Sequence, residues 1–104
     1  MDYRELLREA LEETQKLVGV NNTRLILERI VYDLSLTNPS IGRVQIPEDP
    51  AELDLSAFED EEVRNFYYLL AEIGGAVIGE FFKERLLERA EERGEKDKDG
   101  RSRI

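Results

Sequence analysis

Apolar residues recur along this chain with the period of amphipathic helices, in three stretches that glycine or proline separates. The pattern predicts helices over residues 3–18, 23–36 and 57–93, and therefore an all-α fold. The first helix has a single apolar stripe, made of Tyr3, Leu6, Leu7, Ala10, Leu11, Leu17 and Val18. Asp2 is its predicted N-cap, and Gly19 is its predicted C-terminal stop.

The second stretch is apolar on two sides. Its main stripe consists of Ile26, Leu27, Ile30, Val31 and Leu34. Leu25, Tyr32 and Leu36 lie on the opposite side of the same helix. Asn22 is its predicted N-cap, and Pro39 ends it because proline lacks a backbone donor. We expect this helix to need neighbours on both sides.

The third stretch contains three glycines inside an apolar run. Its core stripe is Val63, Phe66, Tyr67, Leu70, Ile73, Gly74, Val77, Ile78 and Phe81. An interior glycine costs a helix about 1 kcal/mol relative to alanine, so a compensating contact is expected. Ala71, Gly75 and Gly79 recur every four residues on a second strip, a spacing that lets another backbone come close. The alternative is a kink or break near Gly74-Gly75.

The third helix has two possible starts, because Ser56 and Glu59 form a predicted capping box and acids follow at residues 60–62. Before it, the chain from Ile41 to Leu55 reads as extended and contains Pro47 and Pro50, so residues 42–46 form at most one short edge strand. Residues 1–93 are predicted to be a single helical domain. Residues 94–104 are predicted to be a charged, disordered tail.

The inventory of side chains limits the chemistry. The 104 residues include no cysteine and no histidine, so disulfides, thiolate chemistry, ordinary zinc sites and an imidazole base are excluded. We predict no catalytic residue, cofactor or resident metal. The chain starts with an amphipathic pattern rather than an apolar leader, which predicts a cytoplasmic protein with no membrane span. The abundance of Glu and Arg resembles a thermophile composition.

The net charge of −9 is concentrated in the middle of the chain. Residues 1–37 carry −2, residues 38–62 carry −7, and residues 63–104 are neutral. Such a surface repels a phosphate backbone, so nucleic acid is an unfavourable partner and a basic protein a favourable one. The candidate partner-binding residues are Glu48, Asp49, Glu52, Asp54, Glu59 and Asp60. The alternative is that these acids serve solubility and helix starts.

Carboxylates provide the remaining candidates for metal binding or acid–base chemistry. Glu95, Asp97, Asp99 and Gly100 imitate the start of a calcium loop, but the chain ends before the required last acid. The acids at 59–62 point in different directions on a helix, so at most two share an ion. Glu72 and Glu80 interrupt the apolar run, and exposure or an ion pair with Lys83, Arg85 or a partner subunit is the favoured interpretation.

The segment from Gly19 to Leu25 has the look of a helix-turn-helix bend, with Arg24, Glu28 and Arg29 on the second helix. The signal is weak, because a reading helix needs a fully polar face.

The pattern as a whole predicts a small, non-catalytic protein–protein interaction or regulatory module that acts as a homodimer. The predicted interface is Tyr68, Ala71, Gly75, Gly79, Phe82 and Leu86. The acidic segment or a projecting C-terminal helix would face a further partner. Two alternatives remain open: a DNA-binding regulator that uses the bend at Gly19, and a carboxylate-dependent metal protein or enzyme.

Overall fold

The computed structural model describes the backbone of residues 2–102 and the side chains of residues 2–94. Four α-helices follow in order: α1 (Tyr3–Val18), α2 (Val20–Ser35), α3 (Asp60–Val77) and α4 (Glu80–Ser102). Between α2 and α3 lie two short 3₁₀ turns, Pro39–Arg43 and Pro50–Glu52. The all-α prediction is confirmed, but the count of three main helices is wrong. The described residues contain no strand, and a 3₁₀ turn occupies part of the predicted edge strand.

The joint between α1 and α2 is one residue long. Asp2 caps α1 as predicted, since its side chain accepts the backbone N–H groups of Arg4 at 3.1 Å and Glu5 at 3.4 Å. Gly19 then ends α1 with φ of 87°, a left-handed conformation that suits glycine, and α2 begins immediately after it. The predicted cap at Asn22 is therefore wrong. The Asn22 side chain instead donates to the Val18 carbonyl at 2.9 Å.

The third predicted helix is two helices, because the chain reverses at Ile78 and Gly79. Gly79 has φ of 145°, which side-chain-bearing residues rarely adopt, so the helix cannot continue through it. A break was anticipated near Gly74-Gly75 and occurs four residues later. Gly74 and Gly75 remain inside α3.

Of the two predicted starts of α3, the earlier one at residue 57 is wrong, and the later one at the acids 60–62 agrees with the structure. The backbone N–H of Ser56 donates to Asp54 Oδ1 at 2.9 Å, and α3 begins only at Asp60. At that start the N–H of Glu59 donates to Glu62 Oε1 at 3.0 Å. Glu62 Oε2 also accepts from Asn38, which attaches the end of the connection to α3. The predicted Ser56 capping box has thus been replaced by one built three residues later.

The core is formed where α4 folds back along α3 and both pack against α1 and α2. The fully buried side chains include Leu6, Leu11, Leu27, Ile30, Val63, Phe66, Tyr67, Leu70, Phe82 and Leu86. Two threonines are also buried, and each satisfies its hydroxyl by donating to a carbonyl one turn earlier. Thr14 donates to Ala10 and Thr23 to Gly19, both at 2.7 Å.

The break changes which side of the C-terminal segment faces the core. Val77 and Phe81, predicted on the core stripe, are 60% and 54% exposed, whereas Phe82 is fully buried. That prediction assumed one uninterrupted helix. Because the chain reverses at Gly79, residues of α4 no longer share a face with the residues of α3 that a continuous helix would place them beside. Leu86 and Ala90 continue the buried face of α4. α4 therefore packs on the bundle instead of projecting from it.

Five charged side chains join α4 to α1. Glu13 binds both Arg85 and Arg89, the latter at 2.7 Å, and Glu9 binds Arg93 at 2.9 Å. The sequence analysis missed these pairs, although the spacing of four residues between the two acids and among the three arginines was available. α4 runs on to Ser102, past the helix end predicted at residue 93. Residues 95–104 of the predicted tail lie outside the residues whose side chains are described.

Candidate functional site

The outer face of α2 carries large apolar side chains that are exposed to solvent. Its three large side chains, Leu25, Tyr32 and Leu36, are 61%, 61% and 69% exposed. Their spacing of seven and four residues places them within about 40° of one another on the helix. The opposite side of α2 holds Ile26, Leu27 and Ile30 in the core. We call Leu25, Tyr32 and Leu36 the α2 stripe.

Charged residues of both signs border the α2 stripe. Arg29 donates through Nε to Asp33 at 3.1 Å, so one ion pair lies along its edge. Glu28 is exposed one residue before Arg29, and Arg24 is half-buried. α2 carries two basic and two acidic residues and is neutral within a chain of −9. The α2 stripe is therefore an apolar strip with a neutral border on an otherwise acidic protein.

The predicted dimer interface lies largely within the chain. Ala71, Phe82 and Leu86 are 0% exposed, and Gly75 is buried where α3 meets α4. Gly79 forms the reversal, and Tyr68 is half-buried. The small residues thus do admit a close neighbour, and that neighbour is the following helix of the same chain.

The contact at the glycines is close enough to exclude a methyl group. A Cβ built on Gly74 would lie 2.4 Å from Cε2 of the Phe82 ring, and one on Gly75 would lie 2.9 Å from Cβ of Lys83. Lys83 also reaches back to Glu72, with Nζ to Oε1 at 2.9 Å. Its hydrogen bond with Glu72 raises the pKa of Lys83. The predicted ion pair for Glu72 is confirmed, and it closes one edge of the α3–α4 hairpin.

Most of the acidic candidates serve local structure. Asp49 accepts the Ala51 N–H at 3.1 Å and the Gln15 side chain at 2.8 Å, and Asp60 binds Arg4. Asp54 accepts from Ser56, and these hydrogen bonds lower the pKa of Asp54.

Glu59 donates its backbone N–H at the start of α3, as described above. Glu48 and Glu52 are exposed. Four of the six acids are thus engaged within the chain, and the helix-start interpretation applies to Asp49 and Glu59.

The carboxylates do not assemble into a metal site within the described residues, where no group of three or more potential ligands comes together. Glu72 is engaged by Lys83, and Glu80 is exposed at the start of α4. The calcium-like positions 95–100 lie outside the residues whose side chains are described.

Three tyrosines that the sequence analysis did not single out as a group meet between α1 and α3. The ring of Tyr3 lies 5.8 Å from that of Tyr67 and 6.1 Å from that of Tyr68, centroid to centroid. Arg64 stacks over Tyr68 at 4.9 Å. Tyr67 is buried and donates to the Leu86 carbonyl at 2.7 Å, and burial raises its pKa. The hydroxyls of Tyr3 and Tyr68 lie 3.4 Å apart, so all three tyrosine hydroxyls have partners within the protein and we assign the cluster to packing.

In one surface cleft, both lining arginines are already paired with acids. A cleft of about 490 Å³ lies between α1 and residues 51–56. Two arginines line it: Arg4 donates to Asp60 and to the Phe58 carbonyl, while Arg8 binds Glu12 at 3.3 Å. Because both guanidinium groups already bind acceptors of this chain, the cleft does not offer an anion a free pair of donors.

No family model, curated protein or solved structure matches this chain. Across the part of the chain that the structure describes, no helix combines the length and the apolar character needed to span a bilayer.

Proposed function

We propose that this protein is a small, non-catalytic protein–protein interaction module and that the α2 stripe is its binding surface. The observation that carries the proposal is the exposure of Leu25, Tyr32 and Leu36 on a helix whose other side is already buried in the core. Such side chains lose unfavourable contact with water when a partner covers them.

The shape of this surface suits a helical partner. The α2 stripe extends about 16 Å along the helix, at 1.5 Å per residue from Leu25 to Leu36. An apolar strip of that length with polar borders matches the ridge that an amphipathic helix presents. The homodimer expected from the sequence also requires such a face, because most of the residues predicted for its interface are buried where α3 meets α4.

Site-specific photo-cross-linking in the producing cell tests the proposal. A photoreactive amino acid at Leu36, which is 69% exposed, is expected to give a discrete protein adduct on illumination. The same group at Phe81, which is 54% exposed, is the control for nonspecific cross-linking from an exposed apolar position. Leu25→Ser in the same chain should remove the Leu36 adduct. Equal labelling from both positions, or none from either, would contradict the proposal.

No observation on α2 favours the DNA-binding alternative. Arg24 is half-buried, and Arg29 is paired with Asp33, so neither basic side chain is positioned to bind a phosphate backbone. The exposed centre of the helix is apolar, whereas a reading face is polar. Salt-dependent retention of duplex DNA that Arg29→Glu abolishes would restore this alternative.

A further inference from the structure

Another surface cleft, of about 460 Å³, lies between residues 40–45, the loop before α3 and the first turn of α3. Its volume falls within the roughly 300–1,000 Å³ of small-molecule sites. Val44 and Phe58, both half-buried, line it together with the exposed Ala57. The cleft therefore has an apolar wall that remains in contact with water.

Arg43 contributes a positive charge to this cleft that no acid of the chain neutralises by direct contact. It is the single basic residue of the segment 38–62, which also contains eight acids. Across the residues whose side chains are described, Arg43 forms no ion pair. Its side chain is exposed. An arginine in this state presents its paired donors to a carboxylate from outside the protein.

Two acids line the same cleft, and they differ in how far they are already engaged. Glu62 uses both oxygens, since Oε1 accepts the Glu59 N–H at 3.0 Å and Oε2 accepts from Asn38. Asp54 accepts from Ser56 alone, and these hydrogen bonds lower the pKa of Asp54 and keep it ionised at neutral pH. A carboxylate has about four acceptor sites, so Asp54 still has sites for an ammonium group.

We propose that this cleft binds a small zwitterion with an apolar side chain, the chemistry of a free apolar α-amino acid. The carboxylate of the ligand binds Arg43, and its ammonium group binds Asp54. Its side chain covers Val44 and Phe58. This site is separate from the α2 stripe and adds a small-molecule ligand to the proposed interaction module.

The charges of the cleft favour a zwitterion over simpler ligands. An anion without an ammonium group approaches two acids on a chain of −9. A cation without a carboxylate is repelled by Arg43 and leaves that arginine without a partner. A zwitterion is neutral overall and pairs with both charges. The apolar wall adds a preference for a hydrocarbon side chain, because the ligand removes that wall from water.

Titration of the isotope-labelled full chain with leucine, followed by amide NMR shifts, tests the proposal. We expect saturable shifts at residues that line the cleft. The dissociation constant should be about 1 mM, because the cleft is open to solvent and offers one cation and one acid to the ligand.

Three relatives of leucine test the contacts one at a time. N-acetyl-leucine lacks the ammonium group, leucinamide lacks the carboxylate, and glycine lacks the apolar side chain. The first two should each bind at least about tenfold more weakly than leucine, because each loses one charge-assisted hydrogen bond. Glycine should also bind at least about tenfold more weakly, because it buries no side chain.

Variants of the two charged residues assign each contact to its group. Arg43→Gln should weaken leucine about tenfold and leave leucinamide unchanged, since leucinamide has no carboxylate to lose. Asp54→Asn should weaken leucine and leave N-acetyl-leucine unchanged. An asparagine oxygen still accepts the Ser56 N–H, so the local turn is kept. Arg8→Gln changes an exposed arginine outside this cleft and should leave all affinities as they are.

Three results would overturn the proposal. The first is the lack of any saturable shift with leucine up to its solubility limit. The second is equal binding of leucine and its three relatives, and the third is an unchanged affinity for leucine in both the Arg43 and the Asp54 variant. None of these measurements involves the α2 stripe, so the interaction module is judged separately by the Leu36 cross-link.

Discussion

Two parts of the chain, the α3–α4 hairpin and the outer face of α2, have the same kind of two-sided apolar pattern but differ in burial. Each is a helix with apolar or small residues on two sides. In α3 the second side is covered by α4, so Ala71 and Phe82 are 0% exposed. On α2 the second side meets solvent, and Leu36 is 69% exposed.

The difference lies in the size of the side chains and in the next turn of the chain. Gly74 and Gly75 leave room for the Phe82 ring and the Lys83 stem, and the reversal at Gly79 delivers both at short range. After α2 comes Pro39, which starts a 3₁₀ turn that contacts α2 and buries Ile41 in the core without covering the α2 stripe. The small residues followed by a glycine reversal are thus covered within the chain, whereas the large residues followed by a proline are left exposed.

The largest expected effect separates two adjacent phenylalanines. Phe82→Ala should lower the free energy of unfolding by about 3–5 kcal/mol, because it opens a cavity in the core. Phe81→Ala should cost less than about 1 kcal/mol, since the Phe81 ring is 54% exposed. Urea denaturation of both variants measures the difference. Similar costs would show that the reversal at Gly79 does not set the core face as described.

Gly74→Ala tests the closeness of the hairpin. Overpacking costs about 1–3 kcal/mol, and the gain in helix preference returns about 1 kcal/mol, so a net loss of up to about 2 kcal/mol is expected. Gly42→Ala is the control, because its nearest neighbour would be Ser35 Cβ at 3.5 Å. The double variant Gly74→Ala, Phe82→Leu should lose less free energy of unfolding than the two single variants added together. A double-mutant cycle measures this difference.

Tyr67 should make the core sensitive to alkali. Burial raises the pKa of Tyr67 above the 10.0 of a free side chain, so the unfolded chain loses that proton first. Stability from this group is complete below pH of about 10 and falls as pH rises beyond it. Tyr67→Phe should cost about 1 kcal/mol at neutral pH, through the lost hydrogen bond to Leu86, and should flatten the alkaline fall. Unfolding curves between neutral pH and pH of about 11 compare the two; parallel curves would contradict the assignment.

The ion pairs between α1 and α4 should contribute less. Glu13 is 16% exposed and binds two arginines, so Glu13→Gln is expected to cost about 1 kcal/mol. Glu12 is 49% exposed and binds only Arg8 among the described pairs, and Glu12→Gln should cost at most about 0.5 kcal/mol. Thermal melts at low and high salt give both values. The Glu13 difference should shrink as salt screens the pairs.

The smallest effect is expected on the open face. Leu25→Ala, measured at high dilution, should change the free energy of unfolding by less than about 0.5 kcal/mol. Leu27→Ala, two residues away and 0% exposed, should cost about 2–5 kcal/mol. A large cost at Leu25 in the monomer would mean that the α2 stripe is covered within the chain.

Local features of the fold were the most predictable. The bounds of α1, the cap at Asp2 and the stop at Gly19 follow from side chains that act on their immediate neighbours. The start of α3 was left open between the Ser56 capping box and the acids at 60–62, and the contact of Glu62 with Asn38, which lies at the later start, joins residues that are far apart in sequence. The pairing of Glu13 with Arg85 and Arg89 was missed for the same reason.

By itself the sequence determined the helical class, the apolar faces and the absence of histidine and cysteine chemistry, because these depend on composition and on a period of a few residues. Only the tertiary structure decided that α3 and α4 are separate, that Ala71 and Gly75 are covered from within, and that Leu25, Tyr32 and Leu36 are left exposed. A spacing of small residues specifies how closely a neighbour can approach. Which segment packs against these small residues depends on where the chain reverses direction. Gly79, with φ of 145°, sets the position of that reversal.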